Sequence, residues 1–143
     1  MTGRLMLGLG LVTLVLATGC QPPGQPNPAA VAAAVNASDQ WVAMVDTNAY
    51  AASWDAAAQY FRKAVPREQW VSSMEAFRAP LGAVSERKVS SSRYTQALPG
   101  APDGQYVLIQ YDSAFARKAS AVETTTVMLD TDAVWRVSGY FIK

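Results

Sequence analysis

Apolar positions change their period near Gly82. Before it they recur every three to four residues, the spacing of one helix face. After it they alternate, the spacing of a strand. From Ala29 to about Asp46, Val31, Val35, Val42 and Val45 share a face, with Trp41 beside them. Asn27-Pro28 starts this helix, a capping side chain followed by proline in the first turn. Thr47-Asn48 ends it, since Asn48 tolerates a left-handed backbone. A second helix is expected from about Ala49 to Lys63, with Tyr50, Trp54, Ala57 and Phe61 on its stripe. Pro66 opens a third, running to about Ala79, with Trp70, Met74 and Phe77 along its face. Pro80 and Gly82 stop it.

Four strands follow. Ala83 to Thr95 is long and polar, so it reads as an edge strand or a bent one with a break inside it. Leu98 to Gly104 is a turn. Gln105 to about Asp112 is the clearest strand, Ala116 to Ser120 a second turn, and Ala121 to Asp130 a strand rich in Val and Thr. Trp135 to Ile142 closes the chain after a reversal at Thr131-Asp132. With those two residues as the loop, Met128 lies opposite Trp135, Thr126 opposite Val137, Thr124 opposite Gly139 and Val122 opposite Phe141. That face is mostly apolar and should meet the helices. Arg136, Glu123 and Tyr140 then occupy the outer face, with Glu123 opposite Tyr140. Segregated helices and strands predict an α+β domain, three N-terminal helices on a curved four-stranded antiparallel sheet.

One apolar run stands outside this scheme. Arg4 precedes Leu5 to Ala17, and Thr18-Gly19-Cys20 ends the run. A basic start, a short apolar core and small terminal residues make a secretory signal. The run falls short of the roughly 20 apolar residues that cross a bilayer. Cys20 is the only cysteine in the chain, so it has no disulfide partner within it. Ala17-Thr18-Gly19-Cys20 resembles the lipobox of bacterial lipoproteins, with Ala17 where Leu is usual. The resemblance implies cleavage before Cys20 and acylation of its thiol and new amine. Gln21 in the following position implies sorting to the outer membrane, facing the periplasm. Two or more acyl chains anchor stably where one does not. Gln21 to Pro28 carries four prolines and reads as a semi-rigid tether. The expected organisation is a signal over Met1 to Gly19, an acylated cysteine and tether over Cys20 to Pro28, and one domain over Ala29 to Lys143.

Composition narrows the chemistry. Removing Arg4 with the signal takes the formal charge from +1 to zero, and no basic cluster remains to bind nucleic acid. The chain contains no histidine, so the commonest general base and metal ligand is missing. No dense acidic loop of the calcium type appears, and neither a metal nor a cofactor is expected.

Several motifs are familiar in order: Trp54-Asp55, Arg67-Glu68-Gln69-Trp70, Ala79-Pro80-Leu81-Gly82, Arg93-Tyr94, Leu98 to Gly104, Val122-Glu123-Thr124 and Trp135 to Tyr140. Together, over roughly Ser38 to Lys143, they resemble the bacterial family called domain of unknown function 4019. The resemblance implies a cystatin-like or nuclear-transport-factor-2-like fold, a curved sheet wrapped around helices that can leave a conical pocket. It supplies no catalytic residues.

Three functions remain open. The first is a non-catalytic, lipid-anchored module at the cell envelope that binds a protein or a small apolar ligand. Trp54, Asp55, Asp112 and Glu123 are its candidate contacts, and Phe61 is a second aromatic that could line a pocket. The second is an isomerase or hydratase using a pocket carboxylate. Asp55, Asp112 or Glu123 would be the base and Tyr50, Tyr111 or Tyr140 the donor. The third is a homodimer joined through the outer sheet face, with Arg136, Glu123 and Tyr140 at the interface. Asp46 and Asp55, near helix ends, read as ordinary surface charges.

Overall fold

The structure is a computed structural model, and it describes residues 27–143. The signal and Cys20 lie outside the described residues, as does the tether as far as residue 26. Among the described residues, no helix is long and apolar enough to cross a membrane. The domain is α+β, with helices before an open antiparallel sheet.

Helix α1 spans Pro28–Asp46. Asn27 caps it, its side-chain oxygen accepting from Ala30 N–H at 3.0 Å. Its buried stripe is Ala30, Ala34, Ser38, Trp41, Val42 and Val45. Val31 and Val35, expected on the core face, are only half-buried at its margin. Small side chains at 30, 34 and 38 let the helix axis lie close to the sheet.

The expected second helix is two: α2, Tyr50–Asp55, and α3, Gln59–Ala64. The break falls at Ala56 to Ala58, although alanine is the best helix former. Tertiary contacts override that preference. Ala58 N–H donates to the carbonyl of Val137 in the sheet at 2.8 Å, and Gln59 N–H donates to the Asp130 carboxylate at 2.9 Å. Asp130 therefore caps α3 from a position 71 residues downstream. Helix α4 spans Arg67–Phe77, and a short 3-10 turn covers Ala79–Leu81. Gly82 ends that turn at φ +77°, in the region that favours glycine, and a Cβ there would lie 3.2 Å from that of Ala116.

The sheet order is β1-β2-β3-β4: Val84–Thr95, Tyr106–Phe115, Lys118–Leu129 and Trp135–Ile142. β1 is a polar edge strand with two irregularities, at Val84/Glu86 and Val89/Ser91. The turn expected from Ala116 to Ser120 shrinks to Ala116-Arg117, because β3 already begins at Lys118.

The last hairpin differs most from expectation. Leu129 pairs with Trp135, so the loop is longer than Thr131-Asp132, with Ala133 at φ +62°. Met128 faces Arg136 rather than Trp135, and Val127 faces Val137. A bulge at Ser138 then shifts the register, pairing Thr126 with Gly139, Thr125 with Tyr140, Thr124 with Phe141 and Glu123 with Ile142. The faces of β3 are therefore the reverse of those expected. Ala121, Glu123, Thr125 and Val127 are buried, whereas Val122, Thr124, Thr126 and Met128 are not. A one-residue slip in pairing moves every side chain to the other face.

Helices and sheet meet at Trp41, Trp70, Phe61 and Tyr140, whose rings pack in tilted and edge-on pairs with centroids 5.2–6.5 Å apart. Ser53, fully buried, ties the two indoles to α2. Trp41 Nε1–H donates to its carbonyl at 2.8 Å and Trp70 Nε1–H to its hydroxyl at 3.0 Å.

Candidate functional site

Under the aromatic layer runs a chain of charges. Glu123 is 0% exposed. Its Oε2 accepts from Arg87 Nε at 2.7 Å and from Ser113 Oγ at 2.5 Å. Its Oε1 accepts from Arg87 Nη2 at 3.0 Å and from the Tyr140 hydroxyl at 2.5 Å. All four acceptor positions of the carboxylate are thus filled. Arg87 continues to Asp46, with bonds of 2.6 and 2.9 Å. Asp46 also receives Arg78 Nη2 at 3.0 Å, and Arg78 Nη1 bonds the Gly82 carbonyl at 2.7 Å. The sequence Arg78–Asp46–Arg87–Glu123 carries no net charge, which makes its burial tolerable.

Asp46 sits at the C-terminus of α1, where the helix dipole disfavours a carboxylate. Burial pushes its pKa up, but hydrogen bonds and charge from Arg87, then Arg78, outweigh this and leave it below 3.8. Burial pulls Arg87 down, and its bonds to Asp46 and Glu123 reverse that, holding it above its ordinary value. Burial, then the charge of Glu123, pushes the Tyr140 hydroxyl well up, so it stays a phenol.

Asp46 implies a pH dependence. Its folded pKa lies below the unfolded 3.8, so its stabilising contribution is complete above that value. It is lost as pH falls from 3.8 through the lower folded pKa. The urea midpoint should drop across that acid window, and Asp46→Asn should flatten part of the drop. Equal acid slopes in both proteins would contradict the assignment.

A neighbouring chain of hydroxyls joins helix to sheet. Ser38 Oγ lies 2.7 Å from Thr125 Oγ1 and 2.7 Å from Tyr111 Oη, which is 2.9 Å from Asp39 Oδ1. Burial raises the Tyr111 pKa well above its ordinary value. A polar recess of about 310 Å³ lies against Asp39, Arg87 and Tyr111.

The larger opening is a cleft of about 490 Å³ between α4 and β4. Its apolar walls are Trp70, Met74, Phe77, Leu81, Phe141 and Ile142. Tyr140 and Arg78, both ends of the buried charge chain, reach its floor. Lys118 and Lys143 also line it, and no Asp or Glu does. Phe77 was expected in the core but is 77% exposed, and Phe141 is 56% exposed. Phe77 is the last residue of α4 and lines the cleft instead.

The candidate residues named from sequence do not converge. Trp54 packs on α3, its Nε1–H donating to the Val65 carbonyl at 2.7 Å. Asp55 is exposed and pairs with Arg67 at 3.3 Å, a contact of the weak surface kind. Asp112 is exposed on the outer sheet face. Only Glu123 is enclosed, and its lone pairs are already occupied. Phe61 packs edge-on against Trp70. Glu123 and Tyr140 point toward the helices, so of the three residues expected on the outer face only Arg136 lies there, held by Asp132 at 2.7 Å. Arg78, Arg87, Ser113 and the cleft residue Lys118 were not singled out from sequence. Extending the alternation of Val107, Ile109 and Tyr111 by one step places Ser113 inward. Arg87 has no such signal in its polar strand. Among the described residues, no three His, Cys, Asp or Glu side chains cluster as a metal site would require.

Comparison with curated proteins and with solved structures gives no match. A family model described as "Protein of unknown function (DUF4019)" matches residues 37–140, a span that takes in α1 from its third turn, the charge chain and most of β4, and the chain belongs to that family.

Proposed function

We propose that the protein is a lipid-anchored, non-catalytic module of the cell envelope that holds a small apolar ligand in the α4–β4 cleft. The observation that carries this reading is the cleft itself. Its volume of about 490 Å³ lies in the range of small-molecule sites. Two aromatic side chains, Phe77 and Phe141, stand exposed on its walls. Exposed apolar surface gathered in one concavity marks a binding site more often than it marks chance. The saturated Glu123 and the raised Tyr140 hydroxyl favour binding over proton transfer. The anchor rests on Cys20 and the signal pattern before it. The cone-like, nuclear-transport-factor-2-like form of the fold belongs to the same proposal, supported by helices gathered on one face of a bulged sheet.

The test uses the full chain with Cys20→Ser, which should leave the membrane fraction and so be purified from its own cells without detergent. Native mass spectrometry should show a non-covalent small-molecule mass at one per chain. Bare protein in every charge state would overturn the binding reading. Retention of the variant in carbonate-washed membranes would overturn the anchor.

A further inference from the structure

The lining of the α4–β4 cleft is lopsided in charge as well as apolar. It contains Arg78, Lys118 and Lys143 and no Asp or Glu. The three cations are not equivalent. Arg78 is 2% exposed and already spans Asp46 and the Gly82 carbonyl. It also lies over the Phe115 ring, 4.4 Å from its centroid. It is therefore part of the wall. Lys118 and Lys143, among the described residues, join no ion pair. Lys118 is half-buried at the start of β3, beside the Ala116-Arg117 turn. The backbone of Lys143 is bonded in both directions to Val122, at 2.9 and 3.1 Å, which fixes it at the same end of the sheet.

Resting on the binding reading above, we propose that the ligand is a single-chain anionic amphiphile. Its apolar tail lies along Phe77, Met74, Trp70 and Phe141, and its carboxylate or phosphate head meets Lys118. An ammonium beside an apolar wall recognises such a molecule by two independent terms. Tail burial scales with area. The head gains a charge-assisted bond in a partly desolvated setting. A neutral molecule would leave the lysine unused, and a cation would be repelled by it.

The position of the cleft favours a free amphiphile over a bilayer surface. Arg78, in its wall, is bonded to the last residue of α1. The tether enters at the first. Nineteen helical residues separate the two ends by about 28 Å. The cleft thus lies at the end of the domain away from the start of α1.

Titration of the Cys20→Ser full chain with dodecanoate, dodecanol and dodecylamine, each below its micelle concentration or solubility limit and at low salt, tests this. Dodecanoate should bind about five- to tenfold more tightly than dodecanol, and dodecylamine most weakly. Lys118→Gln should bring dodecanoate to within about twofold of dodecanol. Equal affinities of dodecanoate and dodecanol for the unsubstituted cleft would overturn the charge assignment and leave the binding reading standing. A preference that survives Lys118→Gln would overturn the role of Lys118. No binding of any of the three would remove the binding reading itself. Sedimentation with phosphatidylglycerol vesicles, lost in Phe77→Ser, would replace the single amphiphile with a membrane surface.

Discussion

Glu123→Ala should destabilise the domain by about 3–5 kcal/mol. The substitution removes the acceptor for three side chains at once. Arg87 keeps Asp46 but loses two bonds, and Ser113 and Tyr140 lose the partners that lie at 2.5 Å. The charge balance of the chain changes from zero to one uncompensated cation, centred on Arg87, whose side chain is 14% exposed. Leaving a buried charge unpaired costs far more than the pair itself is worth. Tyr140→Phe gives the graded comparison. It removes one of the four bonds to Glu123 and leaves the charges matched, so about 1–3 kcal/mol is expected. Urea denaturation of the three proteins at neutral pH measures both. A Glu123→Ala loss below about 1 kcal/mol would mean that the chain is solvated, since surface pairs are worth no more than that.

Trp41→Ala should cost a similar amount, about 3–5 kcal/mol. Trp41 is 3% exposed and touches both halves of the fold. Its ring lies 5.8 Å from Trp70 on α4 and 5.3 Å from Tyr140 on β4. Truncation opens a cavity where helix and sheet meet, and the rigid backbone on both sides cannot close it. Trp41→Phe separates the two contributions. It keeps most of the ring and loses the Nε1–H bond to the Ser53 carbonyl at 2.8 Å. A loss of about 1–2 kcal/mol is expected for that variant. Equal losses for Phe and Ala would place the whole effect in the hydrogen bond and none in the packing.

The layered plan could be read from sequence because periodicity survives folding. The change near Gly82 separated helices from strands, and all four strands fell close to their observed spans. The failures share a cause: a local rule overruled from far away. Ala56 to Ala58 has every local reason to stay helical, and the bonds from Val137 and Asp130 break it. The faces of β3 could not be assigned by composition, because Thr125 lies on one and Thr124 and Thr126 on the other. Loop length decided the phase. A two-residue loop was the simpler reading, but the longer loop and the Ser138 bulge displaced it.

The site was less legible than the fold for the same reason. Glu123 looked like a surface carboxylate because the phase of its strand was inverted. Its partners come from β1, β2 and β4, 36, 10 and 17 residues away, and Arg87 links it on to Asp46 of α1 across a further 41. The cleft depends on a helix stopping at Phe77 and a strand register that turns Ile142 inward. Neither is encoded within a short window.

The most direct test of the cleft as a binding site is a fluorescence titration with N-phenyl-1-naphthylamine, a neutral apolar probe. The comparison is between the Cys20→Ser protein and the same chain with Phe77→Ser. Phe77 is 77% exposed, so its replacement should leave the fold intact. Saturable binding at one probe per chain, weakened about tenfold by Phe77→Ser, is the predicted result. Absence of saturable binding, or equal affinity in the two proteins, would contradict the account.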